Sequence, residues 1–228
     1  MDADTFGEIF PLAETAELET IEWLLSVATE KTVAKGETIV EAGEWGNAAY
    51  LIIKGWVKWQ ERRPGARETY TLGIVGQGDF FGEMAILDES LRDTEVVALT
   101  PGEVLEIPAQ RFLQLLFKDP QLNHRFFQRS IQRLRKLYKL HQLQRESCLH
   151  RLAYILSDLA DSYGSDTGEG VSIPYISPAE LADLTHCSLE ETNRVLEKME
   201  EKHWIQTDRE GKLIIVHNPR PLAQLFSH

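Results

Sequence analysis

Apolar residues at positions 18, 21, 24, 25 and 28 recur at helical spacing, which predicts a helix over residues 17–30. From residue 31 to 108 the texture changes. Short β-branched and aromatic runs at 38–40, 50–53, 56–59, 68–75, 95–98 and 104–107 alternate with glycines at 36, 43, 46, 55, 65, 76, 78, 82 and 102. Regularly spaced short strands parted by glycine turns predict a small antiparallel roll. Beyond residue 120 the pattern changes again. Leu122, Phe126, Phe127, Ser130, Ile131, Leu134, Leu137, Tyr138 and His141 follow a helical stripe, and no Gly or Pro occurs from 121 to 163. A long exposed helix with one apolar stripe usually meets a copy of itself. A parallel homodimer is therefore expected through residues 121–144, with Phe127, Ile131, Leu134 and Tyr138 in the seam. The alternative is a long helix lying on its own domain. The helical pattern breaks near 145–147, and residues 164–170 read as a polar loop.

The 228 residues, 43% hydrophobic and 26% charged, suffice for two globular domains with a core in each. The first sixteen residues are acidic and carry no Lys or Arg, so a signal peptide is not expected. The longest apolar run, residues 48–53, is far too short to span a bilayer. The expectation is a cytoplasmic protein with no membrane partner. In that setting the only two cysteines, Cys148 and Cys187, are expected to be reduced thiols in a core. Two isolated cysteines also fall short of an iron–sulfur cluster, which needs about four.

The net charge of −12 is awkward for a nucleic-acid binder. The bases are concentrated in the middle: residues 119–146 carry seven bases and two acids (7 − 2 = +5), and residues 147–228 seven bases and thirteen acids (7 − 13 = −6).

Five segments carry a family resemblance. Residues 35–44, with Gly36 and Gly43, resemble the first glycine-bounded strand of a cyclic-nucleotide-binding domain, and residues 50–57 its next hairpin. Residues 76–87, Gly-Gln-Gly-Asp-Phe-Phe-Gly-Glu-Met-Ala-Ile-Leu, are similar to the start of its phosphate-binding cassette. Independently, residues 176–200 look like a CRP-type helix-turn-helix. Ser177 and Ser188 are its candidate N-caps, with Glu180 and Glu191 three residues on as capping-box partners. Residues 204–216 look like the wing, with a turn at Glu210 and Gly211. The chain is thus identified as a member of the CRP/FNR family of transcription regulators.

The resemblance implies an α+β architecture: an N-terminal antiparallel, jelly-roll-like β-roll, a long dimerisation helix and a C-terminal winged helix-turn-helix. The corresponding domains are residues 1–118, 119–146 and 147–228. It also implies an effector nucleotide held by Gly82, Glu83 and Met84 at the cassette, with Glu83 accepting from a ribose hydroxyl. Arg92 matches the family's phosphate-clamping arginine after a one-residue shortening of the preceding loop.

Two departures weigh against ordinary cyclic AMP. The small hydroxyl residue expected after the arginine is Asp93, and a carboxylate repels phosphate. The two polar base-contacting positions of the long helix become Leu137 and Tyr138; the first has no donor or acceptor, the second offers one hydroxyl and a ring. Trp56, Trp59, Arg62, Arg63, Arg67 and Tyr70 lie on one predicted hairpin. Arg63 and Arg67 have the Arg-x-x-x-Arg spacing of some cyclic di-GMP receptors, although a solvated hairpin tip reads the same way. A cyclic dinucleotide such as cyclic di-GMP is therefore placed ahead of cyclic AMP. No other cofactor and no metal are expected.

On the recognition helix the family's first base-reading arginine is replaced by Leu189. Ser188, Glu190, Arg194 and Lys198 are the candidate DNA-contacting residues, set among Glu191, Glu197, Glu200 and Glu201. Two functions follow. One is a ligand-gated regulator that binds DNA as a homodimer. The other is an effector-binding interaction protein that acts through a second transcription regulator or RNA polymerase. Catalysis is not expected, because the sequence has no P-loop, metal cluster or triad. A haem sensor would need a partner for His124 or His141, and none is indicated.

Overall fold

The computed structural model describes residues 1–13, 16–62, 69–208 and 210–217. Two units are formed, one from residues 1–61 and 75–135 and the other from residues 62–74 and 136–228.

The first unit opens on α1 (Ala3–Ile9), capped by the Asp2 carboxylate, which accepts from the Thr5 amide at 2.9 Å. A 3-10 turn and α2 (Leu18–Val27) follow. The helix predicted over 17–30 thus stops early. Ala28 is extended, and Thr29 already belongs to β1 (Thr29–Val33). Tertiary pairing overrides the helical pattern here, because β1 ladders antiparallel with β8 (Gly102–Pro108). Lys31 lies diagonally across that pair from Glu106, with Nζ and Oε2 at 2.5 Å.

The remaining strands are β2 (Thr38–Val40), β3 (Ala48–Lys54), β4 (Trp56–Arg62), β6 (Phe80–Phe81) and β7 (Glu95–Ala98), while most of β5 (Thr69–Gly76) belongs to the second unit. One antiparallel sheet runs β1-β8-β3-β6, and in another β7 pairs antiparallel with both β2 and β4. Between β6 and β7 lies the one-turn helix α3 (Met84–Leu87). The jelly-roll-like α+β expectation is met.

An aromatic core holds the first unit together. Phe80 stacks on Phe126 with centroids 4.5 Å apart, Phe112 meets Phe126 edge-on at 5.4 Å, and Phe6 packs against Phe10 at 4.7 Å. Phe112 comes from α4 (Ala109–Lys118) and Phe126 from α5 (Pro120–Leu143). Asp119 starts α5. Its Oδ1 accepts from the amides of Gln121 and Leu122 at 2.9 and 3.0 Å, and Pro120 takes the first turn, where no amide partner is needed. Leu122 and Phe126 are buried, whereas Phe127, Leu134, Leu137 and Tyr138 are exposed.

The second unit contains α6 (Cys148–Tyr163), α7 (Pro178–Thr185) and α8 (Leu189–Glu201) over a sheet ordered β11-β12-β10-β9. Its strands are β9 (Ser165–Asp166), β10 (Val171–Pro174), β11 (Ile205–Asp208) and β12 (Leu213–Val216). The segment 164–170, expected to be wholly loop, therefore includes β9, which pairs with the start of β10. The wing turn is closed by Asp208, whose Oδ1 accepts from the Gly211 amide at 2.8 Å.

The expectation of two reduced thiols is corrected. Cys148 and Cys187 are joined in a disulfide, with their Cα atoms 6.0 Å apart. The fold sets the first residue of α6 beside the α7–α8 turn, a proximity that a sequence separation of 39 conceals.

Candidate functional site

The cassette begins where β6 ends. Gly82 has φ +82, and a Cβ there would lie 3.0 Å from Arg92 Nη1 and 3.1 Å from the Ala48 carbonyl oxygen, so the turn needs glycine on both counts. Glu83 is the residue before α3 and is 7% exposed. Its Oε1 accepts from Arg133 Nη1 at 3.2 Å. Burial pushes the Glu83 carboxyl above its ordinary pKa, with Arg133 acting in the opposite sense. Met84, at the start of α3, is exposed, while Ala85 and Ile86 are buried beneath it.

Asp79 is fully buried. Its Oδ2 accepts from Arg129 Nη2 at 2.8 Å, and its Oδ1 accepts from the Phe80 amide at 2.9 Å and from Arg133 Nη2. Arg133 also donates to the Phe80 carbonyl and lies over the Phe80 ring at 4.1 Å. Two arginines of α5 thereby neutralise two carboxylates at the base of the cassette. The sequence reading missed this network. The available signal was the Arg129–Arg133 pair at helical i,i+4 spacing, which puts both guanidiniums on one face.

Arg92 is the expected phosphate clamp, and it is turned inward. Its Nη2 donates to the Ala48 carbonyl at 2.8 Å and to Asn47 Oδ1 at 3.1 Å, and its Nη1 to the Gly82 carbonyl at 3.3 Å. Three of a guanidinium's five N–H donors are thus committed to the chain itself. Burial lowers its pKa, and Tyr50, Glu44 and Glu83 oppose that shift. Asp93, next in the chain, is exposed. The structure therefore brings Gly82, Glu83 and Arg92 together. Tyr138 lies in the second unit, and Arg63 and Arg67 lie outside the described residues.

In the winged unit both predicted N-caps form, but only the first completes the expected capping box. Ser177 Oγ accepts from the Glu180 amide at 3.3 Å while the Ser177 amide donates to Glu180 Oε2 at 2.9 Å, a complete capping box. Ser188 Oγ accepts from the Glu191 amide at 3.2 Å. His186 ends α7 in the left-handed conformation, φ 51, which turns the chain into α8. Thr192 and Met199 are buried, so α8 presents its opposite side outward. That side carries Glu190, Arg194, Glu197, Lys198 and Glu201, all exposed. Arg194 Nη2 lies 3.5 Å from Glu190 Oε1, a solvent-exposed i,i+4 pair of small energetic weight.

Residues 30–119 match the family model for the cyclic nucleotide-binding domain, and residues 150–225 that for the Crp-like helix-turn-helix domain. The chain belongs to the CRP family of transcription regulators. It is 30% identical, over 88% of its length and 96% of the relative's, to the cAMP-activated global transcriptional regulator CRP of Pasteurella multocida. It is 31% identical to the cyclic AMP receptor protein of Thermus thermophilus, over 84% of this chain and 86% of that one. Among solved structures, the c-di-GMP responsive global regulator CLP of Xanthomonas campestris superposes with a TM-score of 0.64 at 25% identity, covering 89% of this CRP-family chain and all of CLP. FixK2 of Bradyrhizobium japonicum superposes with a TM-score of 0.73 at 19% identity, a likeness of fold alone. Among the described residues of this family member, no helix is long and apolar enough to cross a membrane.

Proposed function

We propose that this CRP-family chain is a cyclic-nucleotide-responsive transcription regulator that binds DNA as a homodimer, with a cyclic dinucleotide such as cyclic di-GMP as effector in preference to cyclic AMP. In this reading residues 1–118 sense the effector, 119–146 dimerise and 147–228 read DNA. The choice of effector rests chiefly on Arg92, whose guanidinium is turned onto Ala48, Asn47 and Gly82 and is followed by an exposed Asp93. A single cyclic phosphate has to compete with three chain acceptors and meets a carboxylate where a hydroxyl is wanted. A dinucleotide brings a second phosphate, and Arg63 and Arg67 are candidates to receive it. The likeness to CLP, described as c-di-GMP responsive, supports this choice; the curated relatives named for cyclic AMP weigh against it.

The dimer follows from the exposed stripe Phe127, Leu134 and Tyr138, joined by the half-buried Ile131. DNA contact falls to Ser188, Glu190, Arg194 and Lys198. A second reading, docking onto another transcription regulator or RNA polymerase, is favoured by one observation: the outward side of α8 carries Glu190, Glu197 and Glu201 against Arg194 and Lys198. Calorimetry of the full chain with cyclic AMP, cyclic GMP, cyclic di-AMP and cyclic di-GMP tests the effector. Tight cyclic AMP binding without dinucleotide binding reverses the choice. A low-salt gel shift with and without effector separates DNA reading from docking.

A further inference from the structure

We propose that Cys148 and Cys187 form a reversible thiol–disulfide site that sets the order of the turn leading into α8, with a low-molecular-weight disulfide as oxidant and a dithiol as reductant. The bond ties two places that matter to the winged unit. Cys148 is the first residue of α6, follows the N-cap Ser147 and is buried. Cys187 is half-buried between His186, the left-handed end of α7, and Ser188, the cap of α8. Without the bond the turn keeps mainly backbone anchors, the His186 amide to the Asp183 carbonyl at 3.2 Å and the Cys187 amide to the Ala182 carbonyl at 3.1 Å. Arg151 adds a long hydrogen bond to the His186 carbonyl at 3.4 Å.

A third group bears on the chemistry. A carboxylate oxygen of Glu191 and the two sulfurs all lie within 4.8 Å of one another. Glu180 turns its carboxylate back onto its cap residue, whereas at α8 the cap consists of Ser188 accepting from the Glu191 amide. A negative charge beside a thiol disfavours the thiolate, and the neutral disulfide is free of that repulsion. Glu191 thereby favours the oxidised pair over a dithiolate.

The exchange balances in two displacements. The more accessible Cys187, as thiolate, attacks one sulfur of the oxidant R–S–S–R, forming a mixed disulfide and releasing one thiolate R–S⁻. Cys148 then loses its proton and attacks the Cys187 sulfur, forming the Cys148–Cys187 bond and expelling the second R–S⁻. Two electrons pass from the cysteine pair to the oxidant, and the two protons given up by the cysteines end on the two R–SH products. A dithiol reductant runs the same steps in reverse. In a thiol-reducing compartment such bonds are usually transient and redox-sensing. A bond at the entry to α8 makes the presentation of Glu190 and Arg194 depend on redox state.

The test uses full-length protein equilibrated in buffers from fully reduced to fully oxidised glutathione, alkylated and weighed intact. Both thiols are expected to vanish together within one chain, and Cys148→Ser and Cys187→Ser each to leave no intramolecular bond. Amide exchange across residues 186–192 should be roughly tenfold or more faster in the reduced wild-type protein, as expected for a locally opened segment. Glu191→Gln should raise the alkylation rate of reduced Cys187. Persistence of both thiols in oxidised glutathione overturns the proposal, as does unchanged exchange on reduction. Stoichiometric zinc held by the reduced protein and blocking oxidation also overturns it, assigning Cys148, Cys187 and Glu191 to a metal instead. The consequence for Arg194 rests on the DNA-reading proposal. Absence of any DNA complex in either redox state defeats that proposal, while the thiol titration still decides the fate of the pair.

Discussion

Arg92 Nη2 donates to the carbonyl of Ala48 at 2.8 Å, forty-four residues earlier in the chain. The residue that most resembles a phosphate clamp therefore serves as a brace between β3 and the cassette. Its removal orphans buried acceptors. Arg92→Leu is expected to lower the unfolding free energy of the effector-free protein by about 1–3 kcal/mol. Chemical denaturation in the absence of nucleotide measures this. A neutral result means that the brace is dispensable.

A specific effector raises stability by mass action. At about one hundred times its dissociation constant it adds about 2.7 kcal/mol. Cyclic di-GMP is expected to raise the melting temperature of the full chain, and cyclic AMP at the same concentration to raise it less. The Arg63→Ala, Arg67→Ala double variant should lose most of the dinucleotide shift. A shift retained in that variant removes the hairpin arginines from the site.

Glu83 gives stability a pH dependence. Its carboxyl is raised in the folded chain by burial, so the folded state holds the proton more tightly than the unfolded state. The contribution is fully present below the unfolded value of about 4.3 and is lost as pH rises through the folded value. Glu83→Gln keeps the hydrogen-bonding shape without ionising. Denaturation of both proteins from pH 4 to about 8 is expected to show the variant gaining on the wild type as pH rises through that window. Parallel curves would mean that Arg133 offsets the effect of burial and leaves Glu83 unshifted between the folded and unfolded states.

Leu134 is 41% exposed on α5, and its neighbours Leu137 and Tyr138 are more exposed still. A charge in that stripe cannot be buried without a partner. The Ile131→Glu, Leu134→Glu variant is expected to sediment as a monomer at micromolar concentration where the wild type is a dimer. A wild-type monomer removes the homodimer.

Arg194→Ala tests DNA reading. Loss of one bidentate base contact costs about 1–3 kcal/mol, roughly five- to 150-fold in affinity. The expected outcome is a specific gel shift in the wild type that weakens by that factor and spreads over related sites. Glu190→Gln should tighten non-specific binding by removing a charge that repels phosphate and competes for Arg194.

Much of the fold was legible because its signals are local. The Ser177–Glu180 capping box, the strand at residues 95–98 and the long α5 each rest on spacings within a few residues. The cassette was legible at Gly82 for the same reason, since the turn needs a positive φ, whereas Glu83 was placed by the family resemblance. The early end of α2 was not, since Thr29 joins a ladder with Glu106 across the roll and local helical spacing carries no trace of that partner.

The sequence alone determined the order of the modules and their caps and turns, which follow from backbone propensity and periodicity, while the candidate nucleotide- and DNA-contacting residues followed from the family resemblance. Only the tertiary structure decided what the charged and sulfur groups do. Arg92 turns onto Ala48, Arg133 bonds Asp79 and Glu83 fifty or so residues away, and Cys148 meets Cys187. Hydrogen bonds, ion pairs and disulfides act over a few ångströms of space, and distance along the chain does not report distance across the fold.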